Sequence, residues 1–263
     1  MTDSQATGQT IGSHIRQWRQ RKHLSQIDCA FDAEISQRHL SFLESGRASP
    51  SRDLVLRLAE RLDVPLRDRN AMLLAAGFAP VYPERSLDAP EMTPVRDAID
   101  LILKGHEPYP ALAVDRHWNL IASNAGLAPL LAGVALALLE PPVNVLRLSL
   151  HPEGLAQHAV NVAEWRKHLL ERLRRQIAAT GDTALSRLYR ELSALPIPPG
   201  HDGPVRDYAD LLVPLELVVS GTRLAFFSTV SVFGTPVDIT LSEIVLECLF
   251  PADQATAEFM RKI

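Results

Sequence analysis

Four prolines, Pro80, Pro83, Pro90 and Pro94, fall within the stretch Ala79–Pro94 (APVYPERSLDAPEMTP). Each fixes φ and removes a backbone donor, so neither a regular helix nor a central strand runs through the stretch, and it reads as a stiff connector. A chain of 263 residues, 46% hydrophobic and 22% charged, has enough apolar material for a core on either side of it. The predicted organisation is a helical unit over 1–78, a proline-rich linker over 79–93 and a second unit over 94–263.

The segment before the linker carries helix signals and no strand signals. Ile11, Ile15 and Trp18 recur at i, i+4 and i+7, which makes one apolar stripe on a first helix ending near His23. Ser25 can cap a second helix over Gln26–Ala33, and Ser36 a third over Gln37–Ser45 that Gly46 terminates in the left-handed conformation. Ser51 can cap a fourth, with Leu54, Leu58 and Leu62 inward, and Leu66–Ala76 forms a fifth that Gly77 stops. Five short helices in so little chain make a bundle. The third helix is unusual in its first turn. Leu40 and Leu43 face a core, while Gln37, Arg38 and His39 are polar and presented outward.

Charge is unevenly placed. The chain carries a net −4, yet residues 10–52 hold seven Lys/Arg against four acids, a local excess of +3. Ile11–Pro50 resembles the phage-repressor-like (Cro/C1, xenobiotic-response-element type) helix-turn-helix family. The likeness rests on IGSHIRQWRQRKHLSQ, on Cys29–Ala30 followed by Ala33–Ser36 (AEIS), and on HLSFLESGRASPS. Ala30 is small where the second and third helices cross, and Ile35 and Leu40 fill the angle between them. One position departs from the pattern: Glu34 stands where the family usually has glycine in the tight turn, and a left-handed backbone there costs about 1–2 kcal/mol. The resemblance implies that the third helix enters a major groove. Gln37 and Arg38 then read base edges, Gln toward adenine and Arg toward guanine. Phe42 meets a thymine methyl, His39 and Ser41 touch phosphates, and Gln26, Ser36 and Arg47 hold the DNA backbone.

After Pro94, at the first turn of a helix capped by Thr93, the pattern is mixed. ALAVDRHWNLIAS (Ala111–Ser123) predicts two short strands about Asp115–Arg116–His117, followed by a helical stretch over Ala125–Leu139 that Glu140–Pro142 breaks. Glu164–Ala179 and Thr183–Leu195 are amphipathic helices separated by Gly181–Asp182, and Pro196–Gly200 closes that layer. Leu211–Val219, Arg223–Phe233 and Pro236–Leu241 predict a three-stranded meander turning at Gly221–Thr222 and Gly234–Thr235, with a terminal helix after it. This half resembles the ligand-binding domain of MmyB-like transcription regulators, a PAS-like fold. The likeness rests on YPALAVDRHWNLIASNAGLAPLL, NVLRLSLHPEGL, EWRKHLLERLRRQI and FFSTVSVFGTPVDITL. It implies a pocket between sheet and helices for a small apolar, fatty-acid-like molecule. A carboxylate head would want an Arg and a neutral donor; Arg147 and Asn124 are the candidates, with Trp118, Trp165 and Phe227 as walls. Each of these also has a purely structural reading: a helix cap for Asn124, an acid partner for Arg147, and plain core for the aromatics.

The fold class expected is therefore an α, five-helix helix-turn-helix bundle followed by an α+β, PAS-like domain. Other classes find little support. Cys29 and Cys248 are far apart and suit packing, not a disulfide framework or zinc site. His151 and His158 lack metal-binding spacing, there is no G-x-S-x-G elbow or glycine-rich phosphate loop, and His106 or His117 alone is weak ground for haem. No catalytic residue, metal or cofactor is expected. Met1–Thr10 has neither the basic start nor the apolar run of a secretory signal. The longest apolar run, Ala125–Leu139, is 15 residues with Pro129 and Gly133 inside it, against roughly 20 for a membrane helix. A cytoplasmic homodimer on a pseudo-palindromic double-stranded operator, tuned by an apolar effector, is the expectation; a helix-turn-helix adaptor or antitoxin-like protein with a protein partner is the alternative.

Overall fold

Serine or threonine starts four of the first five helices: Thr10, Ser25, Ser36 and Ser51 each accept a backbone N–H three residues on. The helices are α1 (Ile11–Arg21), α2 (Gln26–Asp32), α3 (Gln37–Glu44), α4 (Arg52–Arg61) and α5 (Leu66–Ala75). Their ends share a second device. The residue after each C-cap is left-handed: His23, Glu34, Gly46, Asp63 and Gly77 at φ 54°, 55°, 72°, 47° and 83°. The next N–H then bonds five residues back, as in Ile35 to Ala30 O at 2.9 Å and Arg47 to Phe42 O at 2.8 Å. Glu34 thus adopts the strained turn expected of it. The computed structural model describes residues 9–196 and 213–262. They form two compact units, one of residues up to Arg85 with Val237–Ile239, the other of Ser86–Pro236 with Thr240 onward. In the first unit Ile15, Leu40, Leu43, Leu58, Leu62, Met72 and Leu73 are fully buried. Gly12 lets α1 lie directly on the end of α3, where a Cβ would come within 2.5 Å of Leu43 O.

The second unit begins with a 3-10 turn at Pro90–Met92 and α6 (Thr93–Gly105), whose N-cap is Met92; Thr93 accepts from Arg96 instead of capping. Strands β1 (Ala111–Val114), β2 (Leu120–Ser123), β3 (Leu215–Val219), β4 (Thr222–Val232) and β5 (Val245–Pro251) form one antiparallel sheet, ordered β2-β1-β5-β4-β3. The alternation of β1 assigns its faces. Ala111 and Ala113 pack with Ile99 and Leu103 of α6 on one side. Leu112 and Val114 join the larger core on the other, with α7 (Val145–Leu150), α8 (Val162–Thr180) and α9 (Thr183–Ala194). Gly181, left-handed at φ 67°, ends α8, and Asp182 caps α9. This is the α+β, PAS-like architecture expected.

Three local expectations are corrected. Ala125–Leu139 is not one helix but two 3-10 turns, Ala125–Leu131 and Leu136–Leu138. Pro129 removes a donor, left-handed Gly133 (φ 80°) breaks the run, and Gly126 packs so tightly that a Cβ would lie 2.4 Å from Pro108 O. Pro236–Leu241 is not a strand: the chain makes a turn of helix, α10 (Ile239–Ser242), and the strand is the next segment, β5, in the middle of the sheet. The terminal helix therefore starts later, as α11 (Gln254–Met260), capped by Asp253. Most of Pro196–Gly200 and the start of Leu211–Val219 lie outside the described residues.

Candidate nucleic-acid interface and ligand cavity

The first candidate site is α3, held by a buried acid. Leu40 and Leu43 anchor its inner side, and Glu44, its last residue, is the hub of a charged cluster whose side chain has no solvent exposure. Glu44 accepts from Arg19 Nε (2.6 Å) and Nη2 (3.1 Å), from Gln26 Nε2 (2.9 Å) and from Arg16 Nε (3.4 Å). Burial works to raise its pKa, but hydrogen bonds from Arg19, Gln26 and Arg16, with the arginine charge, win and hold the carboxyl below its ordinary value. The carboxylate therefore ties α3 to α1 and to the start of α2. Beside it, burial pushes the Cys29 thiol up to about 11.

On the outer side Ser36, Gln37 and Arg38 are exposed, and His39, Ser41 and Phe42 half-buried. Ser36 Oγ accepts the His39 N–H at 3.1 Å, which sets the start of the helix. Residues 38 and 42 are neighbours on one face. The Arg38 guanidinium lies 5.3 Å from the Phe42 ring centroid, and that of exposed Arg47, just past Gly46, lies 6.0 Å from it. Phe42 is thus a platform between two arginines. Of the eight residues singled out in the sequence, seven lie on or beside α3; Gln26, on α2, is engaged with Glu44. The hub itself was not foreseen as buried, although an acid closing a helix opposite Arg16 and Arg19 is a signal for it.

The second candidate site is a cavity of about 50 Å³ on the α8 side of the sheet, several times the roughly 10–15 Å³ a single water needs. Leu112, Leu127, Leu130, Leu146, Leu215 and Leu249 line it with Trp118 and Trp165. Trp118 reaches it from the tight β1–β2 turn. Asp115 Oδ1 accepts the N–H groups of His117 and Asn119, both at 2.8 Å, and leaves Trp118 left-handed at φ 68°. Trp118 Nε1 donates to Gln176 at 2.8 Å, and the Arg172 guanidinium sits 4.4 Å from the Trp118 ring centroid. Trp165 stacks on His168 at 5.4 Å, and its own Nε1 is buried without a partner. Burial, with the charges of Arg172 and Arg175, lowers the pKa of His168.

The other three ligand candidates are placed elsewhere. Asn124 is buried, but Nδ2 donates to Leu103 O (3.0 Å) and Tyr109 O (2.8 Å) and Oδ1 accepts from Ala111 N (2.9 Å), so it pins the loop between α6 and β1. Arg147 points to solvent and pairs with Glu191 at 2.6 Å. Phe227 stacks on Phe250 at 5.4 Å. None of the three lines the cavity. The charged residue that does is Glu247, paired with Arg172 at 3.0 Å; the sequence reading did not single it out.

A helix-turn-helix bundle joined to a sheet-and-helix unit that encloses an apolar cavity defines a DNA-binding regulator with a ligand-binding domain. The chain belongs to the MmyB-like transcription regulator ligand binding domain family, whose model matches residues 95–263, and a helix-turn-helix model matches residues 15–68. Both are regulatory domains, one binding DNA and the other a small molecule. No curated protein matches the chain. Among the described residues no helix is long and apolar enough to cross a membrane, and no group of His, Cys, Asp and Glu is arranged to hold a metal ion.

Proposed function

We propose that this regulator acts in the cytoplasm as a homodimer on a pseudo-palindromic operator, with 1–78 as the DNA-binding domain, 79–93 as linker and 94–263 as the sensor. Two-fold proteins match two-fold sites, and one short module rarely supplies specific affinity alone. Arg38 and Gln37 read bases from the exposed first turn of α3. Phe42 contacts a thymine methyl, and Ser36, His39, Ser41, Arg47 and Gln26 fix the register on phosphates. The observation that carries this reading is the division of α3 into a fully buried side, Leu40 and Leu43, and an exposed side bearing Gln37 and Arg38.

The effector is a small molecule with a fatty-acid-like apolar chain, lodged in the cavity walled by Trp118, Trp165 and the leucines. Its binding shifts the population between operator-competent and operator-incompetent dimers, and so changes affinity through differential binding to the two states. The domain has no catalytic part in this. Selection of bound DNA from a random pool tests the interface. A two-fold consensus is expected, and Arg38→Ala should lose roughly 1–3 kcal/mol on the selected site while relaxing preference at one base pair. An equal loss on unselected DNA would move Arg38 from bases to phosphates.

A further inference from the structure

The leucines and tryptophans of the cavity suit the apolar chain of the proposed effector, and the polar groups among the lining residues suit its head. Glu247 lies at the centre of β5, opposite Leu112 on β1 and Val230 on β4. The residues on either side of it in sequence, Leu246 and Cys248, face α6, so alternation brings the Glu247 carboxylate to the cavity side with Leu249. An acid at an otherwise leucine-lined position is costly to bury without a partner. Its partner is Arg172 of α8, whose Nη1 donates to Oε1 at 3.0 Å; the two side chains are only 10% and 19% exposed. Arg172 is held further by the face of Trp118. Glu247 is the one charged side chain among the described residues that line the cavity, and the nearby cation is already committed to it. Oε2 of Glu247 accepts no hydrogen bond from the described residues, and the Trp165 Nε1 donor is buried and unpartnered. The lining therefore offers a carboxylate acceptor in Glu247, an indole donor in Trp165 and the hydroxyl of Ser149, and the Glu247–Arg172 pair already sums to zero charge.

From this geometry we infer that the cavity takes a small apolar molecule with a neutral, hydrogen-bonding head, a hydroxyl or carboxamide, and discriminates against a carboxylate. The head donates to Glu247 Oε2 and accepts from Trp165 Nε1. A carboxylate has no proton to give Glu247 at neutral pH, and it adds a second negative charge in a low-dielectric enclosure where Arg172 is already paired with Glu247. An ammonium head meets the opposite problem in Arg172. The inference rests on the ligand-binding reading above and narrows it: the molecule resembles a fatty acid in its chain and not in its head. The cavity's size favours a short chain, since a longer one has to displace the leucines that line it.

The test is calorimetric titration of the full chain at pH 7.5 with hexanamide, hexan-1-ol and hexanoate. Hexanamide or hexanol should bind at least about tenfold more tightly than hexanoate. Glu247→Gln removes the repelling charge and should bring hexanoate to within about threefold of hexanamide. Trp165→Phe keeps an aromatic ring in the wall, though a smaller one, without the N–H and should weaken hexanamide about tenfold. Hexanoate binding as tightly as hexanamide to the unaltered chain overturns the inference and leaves the ligand-binding reading standing, so the test holds even if Glu247→Gln fails to fold. A ratio that Glu247→Gln leaves unchanged in a folded protein also overturns it. Binding of none of the three overturns the ligand-binding reading, and the inference with it.

Discussion

Replacing Glu44 with alanine should loosen the recognition helix before it affects anything else. The carboxylate accepts two hydrogen bonds from the Arg19 guanidinium, one from Gln26 and a longer one from Arg16, with no solvent exposure of its own. Its removal leaves Arg19, 12% exposed, as a buried charge whose one remaining hydrogen bond is to Leu24 O. Breaking a buried pair from one side in this way costs about 3–5 kcal/mol. A domain stable by about 5–15 kcal/mol loses a large fraction of its margin. Glu44→Gln, which keeps shape but not charge, should cost about 1.5–3 kcal/mol. Amide hydrogen exchange of the full chain reads this locally. Peptides from α1 and α3 should exchange roughly a hundredfold to several thousandfold faster in Glu44→Ala, while peptides from β1 and β5 keep their rates. Arg19→Met combined with Glu44→Met should recover most of the loss, because an apolar pair leaves no uncompensated charge. Exchange in α1 and α3 that rises less than about tenfold in Glu44→Ala would refute the reasoning, since a pair worth that little is solvated and does not hold the helix.

Glu34→Gly should stabilise the bundle. The left-handed turn at φ 55° costs a non-glycine residue about 1–2 kcal/mol, glycine's greater freedom in the unfolded chain returns about 0.5–1 of it, and a thermal melt should show a net rise of a few degrees. Acid should destabilise the fold well above the carboxylate range. His14 and His168 have native pKa values lowered from 6.5 by burial, then by neighbouring arginines, so the unfolded chain binds more protons as the pH falls below that value. The stability they contribute is complete above about pH 6.5 and declines as the pH falls toward their native values; Glu44 and Asp182, lowered from 4.5 and 3.8, lose theirs only at lower pH. Melting temperature should therefore drop between pH 7.5 and 5.5, and drop less in His168→Gln; identical slopes would remove His168 from the account.

The bundle was legible because its information is local. Ser25, Ser36 and Ser51 announce helix starts from within three residues of the N–H groups they accept, and the left-handed turns at Glu34 and Gly46 follow from the same short windows. The sheet was less so. β5 is covered on both faces, by α6 on one and by α8 on the other, so its apolar run lacks the clean alternation of a half-buried strand, and its leucines read equally as helix. Pro236–Leu241 alternates better, yet it lies off the sheet because the pairing partners of β4 and β1 are both taken by β5.

The two sites divide along the same line. The DNA-facing residues follow one another on α3, so a single capped helix with one apolar side suffices to locate them. The cavity is assembled from Leu112, Trp118, Trp165, Glu247 and Leu249, which adjoin only after β1, β5 and α8 have packed. Polar residues in apolar stretches were the natural candidates for its head group, and the chain contains several; sequence does not say which of them are satisfied by backbone. Asn124 makes three hydrogen bonds to main-chain groups and Arg147 finds Glu191 across the surface, whereas Glu247 keeps one oxygen without a bond among the described residues and lines the same cavity as Trp165, whose N–H is unpartnered. Hydrogen-bonding capacity left over after folding, and not polarity in the sequence, marks where a ligand's polar atoms go.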